Sequence, residues 1–439
     1  MCKQIKDLSA VIFVFTLVNT ACNVKDDFQL PVDVEVMHKN QRNLTNLIIY
    51  DIFSPPVAAR IYAYTSLAAH EAIRHADTNE GSIIAKLNGF EEMPFPDMNK
   101  KYDFTLAATR SFYDVARQMT FSKDTITKYE EQIYAGYKES LDEETYNNSM
   151  SFGSAVAIAV IKRMAGDYYK ETRAMDKYFG SDLVGRWKPT SPDYLDGTEP
   201  YWTKIRSMTL DSSSQFDPGP PPVYSTDTTS KFFQINKEVY NIGMNLTPEQ
   251  KDIAYFWDDN PFVSHHTGHL MFNTKKQTPG GHWMGIATIA CRMSKADAIK
   301  TARTYALVGV GLLDAFISCW ETKYHYDYIR PITVINTSID KKWEPYLQTP
   351  SFPEYTSGHS TVSASAATVL TGLFGDNFAF HDDADKEYIG MERDFPSFLE
   401  AAQEASVSRL YGGIHYRLSL DIGNAVGKKV GEHVLQKCN

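Results

Sequence analysis

Cysteine is scarce: the chain has five in 439 residues, two of them within the first 22. A disulfide-built scaffold is excluded; one bridge is possible and none is required. Positive charge is also in short supply, with 44 Lys and Arg against 54 Asp and Glu, a net charge of −10 and a pI near 5.7. That balance argues against general nucleic-acid binding, and no polybasic run offers a surface for lipid headgroups. Sustained strand alternation and internal repeats are missing, and no apolar segment beyond the N-terminal one reads as a membrane span. With 43% apolar residues, however, the chain can bury a large core.

The pattern that is present is helical. Val57 to His75 follows Pro55 and Pro56 as an amphipathic, small-residue run, and Phe104 to Met119 and Lys123 to Ala165 continue with apolar spacings of three and four. Residues 183–235 are rich in Pro, Gly, Ser and Asp, a length without period that is expected to form a functional loop or lid. Helix returns at Thr247 to Trp257 and from His282 onward, and the chain closes with Asp421 to Gln436. The expectation is an all-α bundle: a tether at 22–54, a front helical half at 55–245 and a back half at 246–439.

The N-terminus carries a separate message. Lys3 and Lys6 precede the apolar segment Leu8 to Val18, which is too short to span a bilayer, and Ala21 and Cys22 end it. Residues 1–21 resemble a lipoprotein signal peptide, with Asn19 departing from the usual apolar residue, and Cys22 would be acylated. Lys25, Asp26 and Asp27 resemble an acidic export tag. The expectation is an exported bacterial lipoprotein, anchored at the outer membrane and facing the periplasm or cell surface.

Three blocks in the last third carry chemistry. Lys323 and Arg330, seven apart, have Cα atoms about 10 Å apart on one helix face and can reach a common point. Pro331 then places Arg330 at or just past the helix end. Ser357, Gly358 and His359 follow a Pro353 loop and open a small-residue helix, whose unpaired N–H groups make an anion site. Gly358 admits close approach of the backbone, and His359 can act as acid or base. In the third block, Gly412 and Gly413 turn the chain between Arg409 and His415, so both side chains can approach one centre. Three cations, a helix N-terminus and two imidazoles can wrap a tetrahedral oxyanion.

These blocks resemble the signature of the type 2 phosphatidic acid phosphatase and vanadium-dependent haloperoxidase superfamily: Lys-x6-Arg-Pro, Pro-Ser-Gly-His and Ser-Arg-x5-His-x3-Asp. Lys323, Arg330, Pro331, Ser357, Gly358, His359, Ser408, Arg409 and His415 match it. Thr356 stands where the family has proline, and Ser419 where it has the aspartate that orients the histidine; Asp421 is the candidate replacement. Phe352, Pro353 and Tyr355 resemble the chloroperoxidase branch, with Phe352 as a pocket residue. Phe256, Trp257 and the run Thr278 to Trp283 are similar to bacterial haloperoxidase-like proteins.

The resemblance implies an all-α bundle of the acid phosphatase and vanadium haloperoxidase type. It also implies two chemistries. In the haloperoxidases, vanadate is the cofactor: the residue matching His415 is its axial ligand, the lysine polarises peroxide, and halide attacks to give a hypohalous oxidant. In the phosphatases no cofactor is needed. The residue matching His415 attacks a phosphomonoester to form a phosphohistidine, and that matching His359 protonates the leaving oxygen. In both, the residues matching Lys323, Arg330, Ser357, Gly358 and Arg409 hold the equatorial oxygens. The expectation is a haloperoxidase, ahead of a phosphomonoesterase and a phosphate-binding lipoprotein without turnover.

Two further histidine clusters are set aside. His265 and His269 have the four-residue spacing of a metal pair on a helix. No carboxylate accompanies them, and Pro261 and Gly268 indicate a loop near the pocket mouth. His70 and His75 lie off one face and read as ordinary packing. Cys291 and Cys319 sit in apolar runs and read as core.

Overall fold

The computed structural model describes residues 33–267 and 269–438. The segment resembling a signal peptide and Cys22 lie outside the described residues. Helix α1 (Asp33–Asp51) opens the fold and buries Val36, Leu44, Leu47 and Ile48, so most of the stretch expected to be a tether is core helix. Its polar run from His38 to Asn43 conceals this in the sequence: His38, Asn40 and Asn43 are buried and bond to Tyr305, Thr109 and Tyr113.

Helix α2 (Pro55–Ile73) starts with its two prolines at the first helical positions, where their missing N–H groups cost no hydrogen bond. Helices α3 (Phe104–Met119), α4 (Lys123–Ser140) and α5 (Glu143–Ala165) complete the front half. The run expected as helix from Lys123 to Ala165 is broken because Asp142 leaves helical geometry and caps α5, accepting from the Thr145 amide. After a single turn, α6 (Tyr169–Thr172), comes a long irregular stretch, then α7 (Lys231–Met244) and α8 (Pro248–Phe256).

The irregular stretch is pinned down rather than free. The Asp314 carboxylate accepts from the Met208 and Thr209 amides, both at 2.7 Å, and from the Thr209 hydroxyl at 2.6 Å. Tyr328 and Tyr355 donate to the carbonyls of Pro222 and Gly219, and Trp187 and Trp202 are fully buried. The segment is hydrogen-bonded to the bundle, and Thr190 to Leu195 line a cavity.

Strands β1 (Val263–Thr267) and β2 (Leu270–Thr274) form an antiparallel hairpin across the positions expected to be loop. The His265 ring bonds to the Thr274 hydroxyl, and its spacing to His269 is therefore not a helical one. In α2, His70 packs as expected and bonds to Glu80.

Helix α9 (Pro279–Met293) leads into α10 (Ala298–Tyr326), capped by Asp297. Every residue of α10 from Thr304 to Trp320 is buried. Its length and apolarity match a membrane span, which the sequence reading had denied to any segment past the N-terminus, but 94% of its apolar window is buried inside the protein. Helix α10 is the core helix, packed against α2 in front and α9 beside it.

Helices α11 (Pro331–Ser338), α12 (Gly358–Phe374), α13 (Lys386–Ile389), α14 (Phe398–Tyr411) and α15 (Arg417–Cys438) complete the bundle, with a second small hairpin of β3 (Phe380–Asp382) and β4 (Arg393–Phe395). Cys291, Cys319 and Cys438 are buried free thiols.

Helices α12 and α15 approach closely because Gly423, Gly427 and Gly431 face α12 one turn apart. A Cβ on Gly427 would lie 2.1 Å from the Thr361 carbonyl oxygen. Gly427→Ala must therefore push α15 off α12, and the expected loss of about 3 kcal/mol is at the upper end for overpacking. Urea denaturation checks this, with reduced activity expected because α12 and α15 begin beside His359 and His415.

Candidate active site

The convergence starts with His415, between the turn at Gly412 and Gly413 and the first residue of α15. Gly413 takes a φ of +76°, which glycine adopts without strain. The His415 ring has its Nδ1 2.8 Å from Glu354 Oε1 and its Nε2 3.2 Å from Arg330 Nη1. A guanidinium only donates, so Nε2 accepts and the proton sits on Nδ1. The lone pair of Nε2 therefore faces Arg330, and a ligand bonding to it would take the place of that contact.

Glu354 takes the place of the missing aspartate. Its Oε1 also accepts the Tyr416 amide at 3.0 Å, and its Oε2 accepts the Ser419 hydroxyl at 2.7 Å. Burial raises this carboxyl to about 7, although the Ser419 hydroxyl, the Arg330 and Lys323 charges and the Tyr416 amide pull it down. Three donors and two cations favour the carboxylate. Asp421, the expected replacement, is exposed on α15 and takes no part. Ser419 is small enough to admit a longer side chain from another segment, and its hydroxyl then holds that side chain.

The three cations surround the same point. Lys323, in the last turn of α10, donates to the carbonyls of Pro353 at 2.8 Å and Glu354 at 3.0 Å, which leaves one N–H for another acceptor. Burial lowers its pKa. Helix α10 stops at Asp327 in left-handed geometry, so Lys323 and Arg330 meet through a chain turn and not along a common helix face. Arg330 precedes α11 and is fixed by the carbonyls of Phe352 and Ile414, while its Nη2 is buried with no partner. Arg409, on α14, donates to the carbonyl of Trp257 at 2.5 Å. Phe352 lies under two of the charges, with Lys323 Nζ 4.9 Å and Arg330 Cζ 5.0 Å from its ring centre.

Ser357 caps α12 by accepting the Ser360 amide, which frees its own hydroxyl hydrogen for a ligand. Gly358 is the first helical residue, where backbone N–H groups have no partner within the helix. His359 follows, with Nε2 lacking a hydrogen-bond partner and 3.7 Å from Asp259 Oδ2. Burial, and secondarily the Arg409 charge, push the pKa of His359 well below the usual range; for His415 the order is burial, then Arg330 and Lys323.

Gly358, His359, Arg409 and His415 line one cavity of about 360 Å³, walled by Phe316, Trp320 and Phe352 among others. The donor set suits a tetrahedral oxyanion: an orphaned guanidinium nitrogen, a spare ammonium proton, a free hydroxyl and a helix N-terminus stand near the His415 ring. Carboxylates stand among these cations: Glu354 beside Lys323 and Arg330, and Asp258 and Asp259 near Arg409.

Residues 303–439 match the family model described as the VCPO second helical-bundle domain. A crystal structure described as the first bacterial vanadium-dependent iodoperoxidase is 43% identical, with a TM-score of 0.88 over 93% of this chain and 98% of that one. The chain belongs to the vanadium haloperoxidases. Two bacterial vanadium-dependent chloroperoxidase structures share the fold. The holo form is 15% identical with a TM-score of 0.68, covering 94% of this chain and 96% of that one. The apo form is 14% identical with a TM-score of 0.67, covering 88% and 95%. No curated protein is significantly similar in sequence.

In this vanadium haloperoxidase all seven residues expected to form the oxyanion site fall in one region, together with Phe352. Sequence reasoning missed Glu354, although it lies between the noted Pro353 and Tyr355. The available signal was the serine at position 419 itself, which points to a carboxylate arriving from another segment.

Proposed function

We propose that this vanadium haloperoxidase holds vanadate against His415 Nε2 and oxidises iodide with peroxide. The observation that carries the proposal is the His415 ring on the cavity wall, fixed by Glu354 at Nδ1 and facing Arg330 at Nε2, with the buried, unpartnered Nη2 of that guanidinium beside it. Arg330, Arg409, Lys323, the Ser357 hydroxyl and the Gly358 amide would hold the oxygens. Bound there, vanadate supplies a centre at which peroxide is polarised for attack by halide, with no change in the oxidation state of vanadium. Lys323 would offer its remaining N–H to the oxygens of the bound group, and His359 Nε2 would hold or pass a proton. Iodide is favoured because it is the least strongly hydrated of the common halides, so it enters a cavity walled by Trp320 and Phe352 at least cost. The iodoperoxidase described for the 43% identical structure agrees with this choice.

Purified protein reconstituted with orthovanadate and given peroxide should oxidise iodide faster than bromide, and bromide faster than chloride. Hydrolysis of p-nitrophenyl phosphate that vanadate inhibits, without halide oxidation, would replace this reading with a phosphomonoesterase. A pH dependence follows from the depressed pKa of His415. A neutral Nε2 is needed for ligation, and a pKa below the ordinary 6.5 keeps the ring neutral as pH falls through that value. Half-saturation by vanadate should therefore stay nearly constant between about pH 7.5 and about pH 6 so far as this ring sets it. An ordinary, solvated imidazole of pKa about 6.5 would weaken it about fourfold.

Export and lipid anchoring through Cys22 belong to the same proposal, supported by Lys3, Lys6, the apolar segment Leu8 to Val18 and Ala21. Cys22→Ser should move the protein from the detergent phase to the aqueous phase of a detergent partition. Unchanged partitioning would end the lipoprotein assignment.

A further inference from the structure

His282 is a fully buried imidazole on α9 enclosed by three buried carboxylates. Its Nδ1 lies 3.1 Å from Asp259 Oδ1 and 3.2 Å from Asp385 Oδ2, and its Nε2 lies 3.0 Å from Asp382 Oδ2. Acceptors on both sides require protons on both nitrogens. The cluster is braced in turn: Asp382 accepts the Ala384 amide, and Asp385 accepts the Gln277 side chain. The His282 ring stacks on Trp257, with centroids 4.5 Å apart and planes 22° apart. Among the described residues lining the active-site cavity, Asp259 is present and His282, Asp382 and Asp385 are not. Asp259 is thus the one member of the cluster that reaches the cavity, and its second oxygen faces His359 Nε2.

The surroundings of His359 give that carboxylate a task. Burial, then Arg409 from α14, His282 from α9 and Lys323 from α10, disfavour a positive charge on the ring, and a hydrogen bond to the Trp257 backbone favours it. Asp259, from the segment after α8, is the acidic side chain placed within ion-pair distance of the ring. The separation of 3.7 Å is too long for a hydrogen bond and suits a charge–charge contact. The arrangement mirrors the one behind His415, where Glu354 touches the ring and is itself held by Ser419 and Tyr416.

We propose that Asp259, clamped from behind by His282 with Asp382 and Asp385, is the positioning carboxylate of His359 and supplies its counter-charge when an oxyanion in the cradle draws a proton onto that ring. The inference rests on the oxyanion-site reading above. His282 acts through Asp259 and touches no ligand.

Sulfate is the probe, a tetrahedral dianion with no proton of its own to exchange between about pH 6 and about pH 8. Titration calorimetry on the full chain, in buffers of different ionisation enthalpy, counts protons taken up on binding. The wild type should take up about one proton per sulfate at the acid end, with affinity rising up to about tenfold per pH unit. Asp259→Asn should lose at least half of that uptake and flatten the pH slope, while binding sulfate as tightly as the wild type or more tightly at about pH 8. Simple electrostatics, or a collapsed site, does not produce that pair of results: removing a nearby negative charge alone raises affinity with the slope intact, and collapse lowers affinity at every pH. Unchanged proton uptake in Asp259→Asn would overturn the inference. Should that variant not fold, nitrogen-15 NMR of His282 in the wild type decides. Both ring nitrogens must stay protonated across the range, and a ring that loses a proton, or a metal ion found between Asp259, His282 and Asp385, removes the clamp. A wild type that binds no sulfate would sink the oxyanion reading itself, a different result from sulfate binding with an unaltered variant.

Discussion

His415→Ala should abolish vanadate-dependent halide oxidation, a fall of at least about a thousandfold in turnover, because the proposal gives this ring the bond to the central atom of the anion. The remaining groups all donate to oxygens. Lys323, Arg330, Arg409 and the N-terminus of α12 stay in place, so sulfate affinity should fall by only about tenfold. Glu354 loses its imidazole partner but keeps the Tyr416 amide, the Ser419 hydroxyl and two nearby cations. Folding should accordingly survive, with a modest shift in Tm. Steady-state halide oxidation and sulfate calorimetry on the same preparation separate loss of the ligand from loss of the cradle. Activity within tenfold of the wild type would remove His415 from its role.

Glu354→Gln should lower vanadate affinity or turnover by about 10- to 100-fold, the usual effect of removing a group that orients a metal-binding histidine. The amide can still accept the His415 Nδ1 proton while its NH2 turns to Ser419, so shape is kept and charge is lost. Ser419→Ala should have the smaller effect, about 1 kcal/mol for one hydrogen bond whose partner keeps other donors. The sharper test is exchange of position. Ser419→Asp alone places two carboxylates in one buried space and should be destabilising. Combined with Glu354→Ala, the same aspartate stands where the superfamily pattern has it, and activity should recover at least tenfold over Glu354→Ala alone. No recovery would mean that Glu354 does more than orient the ring.

How much of this was legible in the sequence depended on the range of the contact involved. The motif residues were readable because identity, order and local spacing carried them. The helix N-terminus at Gly358 was readable from Pro353 and the small residues after it. Glu354 was not, since its contact with His415 spans 61 positions and no local pattern marks the pair. Asp421 looked like the substitute because it is near in sequence, yet its place on α15 turns it to solvent. The meeting of Lys323 and Arg330 was right in outcome and wrong in geometry, for Asp327 ends the helix between them. Helix α1 was hidden because its buried face uses His38, Asn40 and Asn43, polar residues with partners far along the chain. The hairpin at Val263 to Thr274 was hidden for another reason: two five-residue strands are too short to establish a period.

A crystal of the protein soaked in orthovanadate, with data collected at the vanadium absorption edge, locates the anion. The assignment of His415 as the ligand predicts one strong anomalous peak bonded to its Nε2, with oxygens reached by Lys323, Arg330, Ser357, Gly358 and Arg409. Vanadium bound elsewhere in a crystal whose dissolved protein oxidises iodide, or a peak in the cavity not bonded to His415, would contradict it.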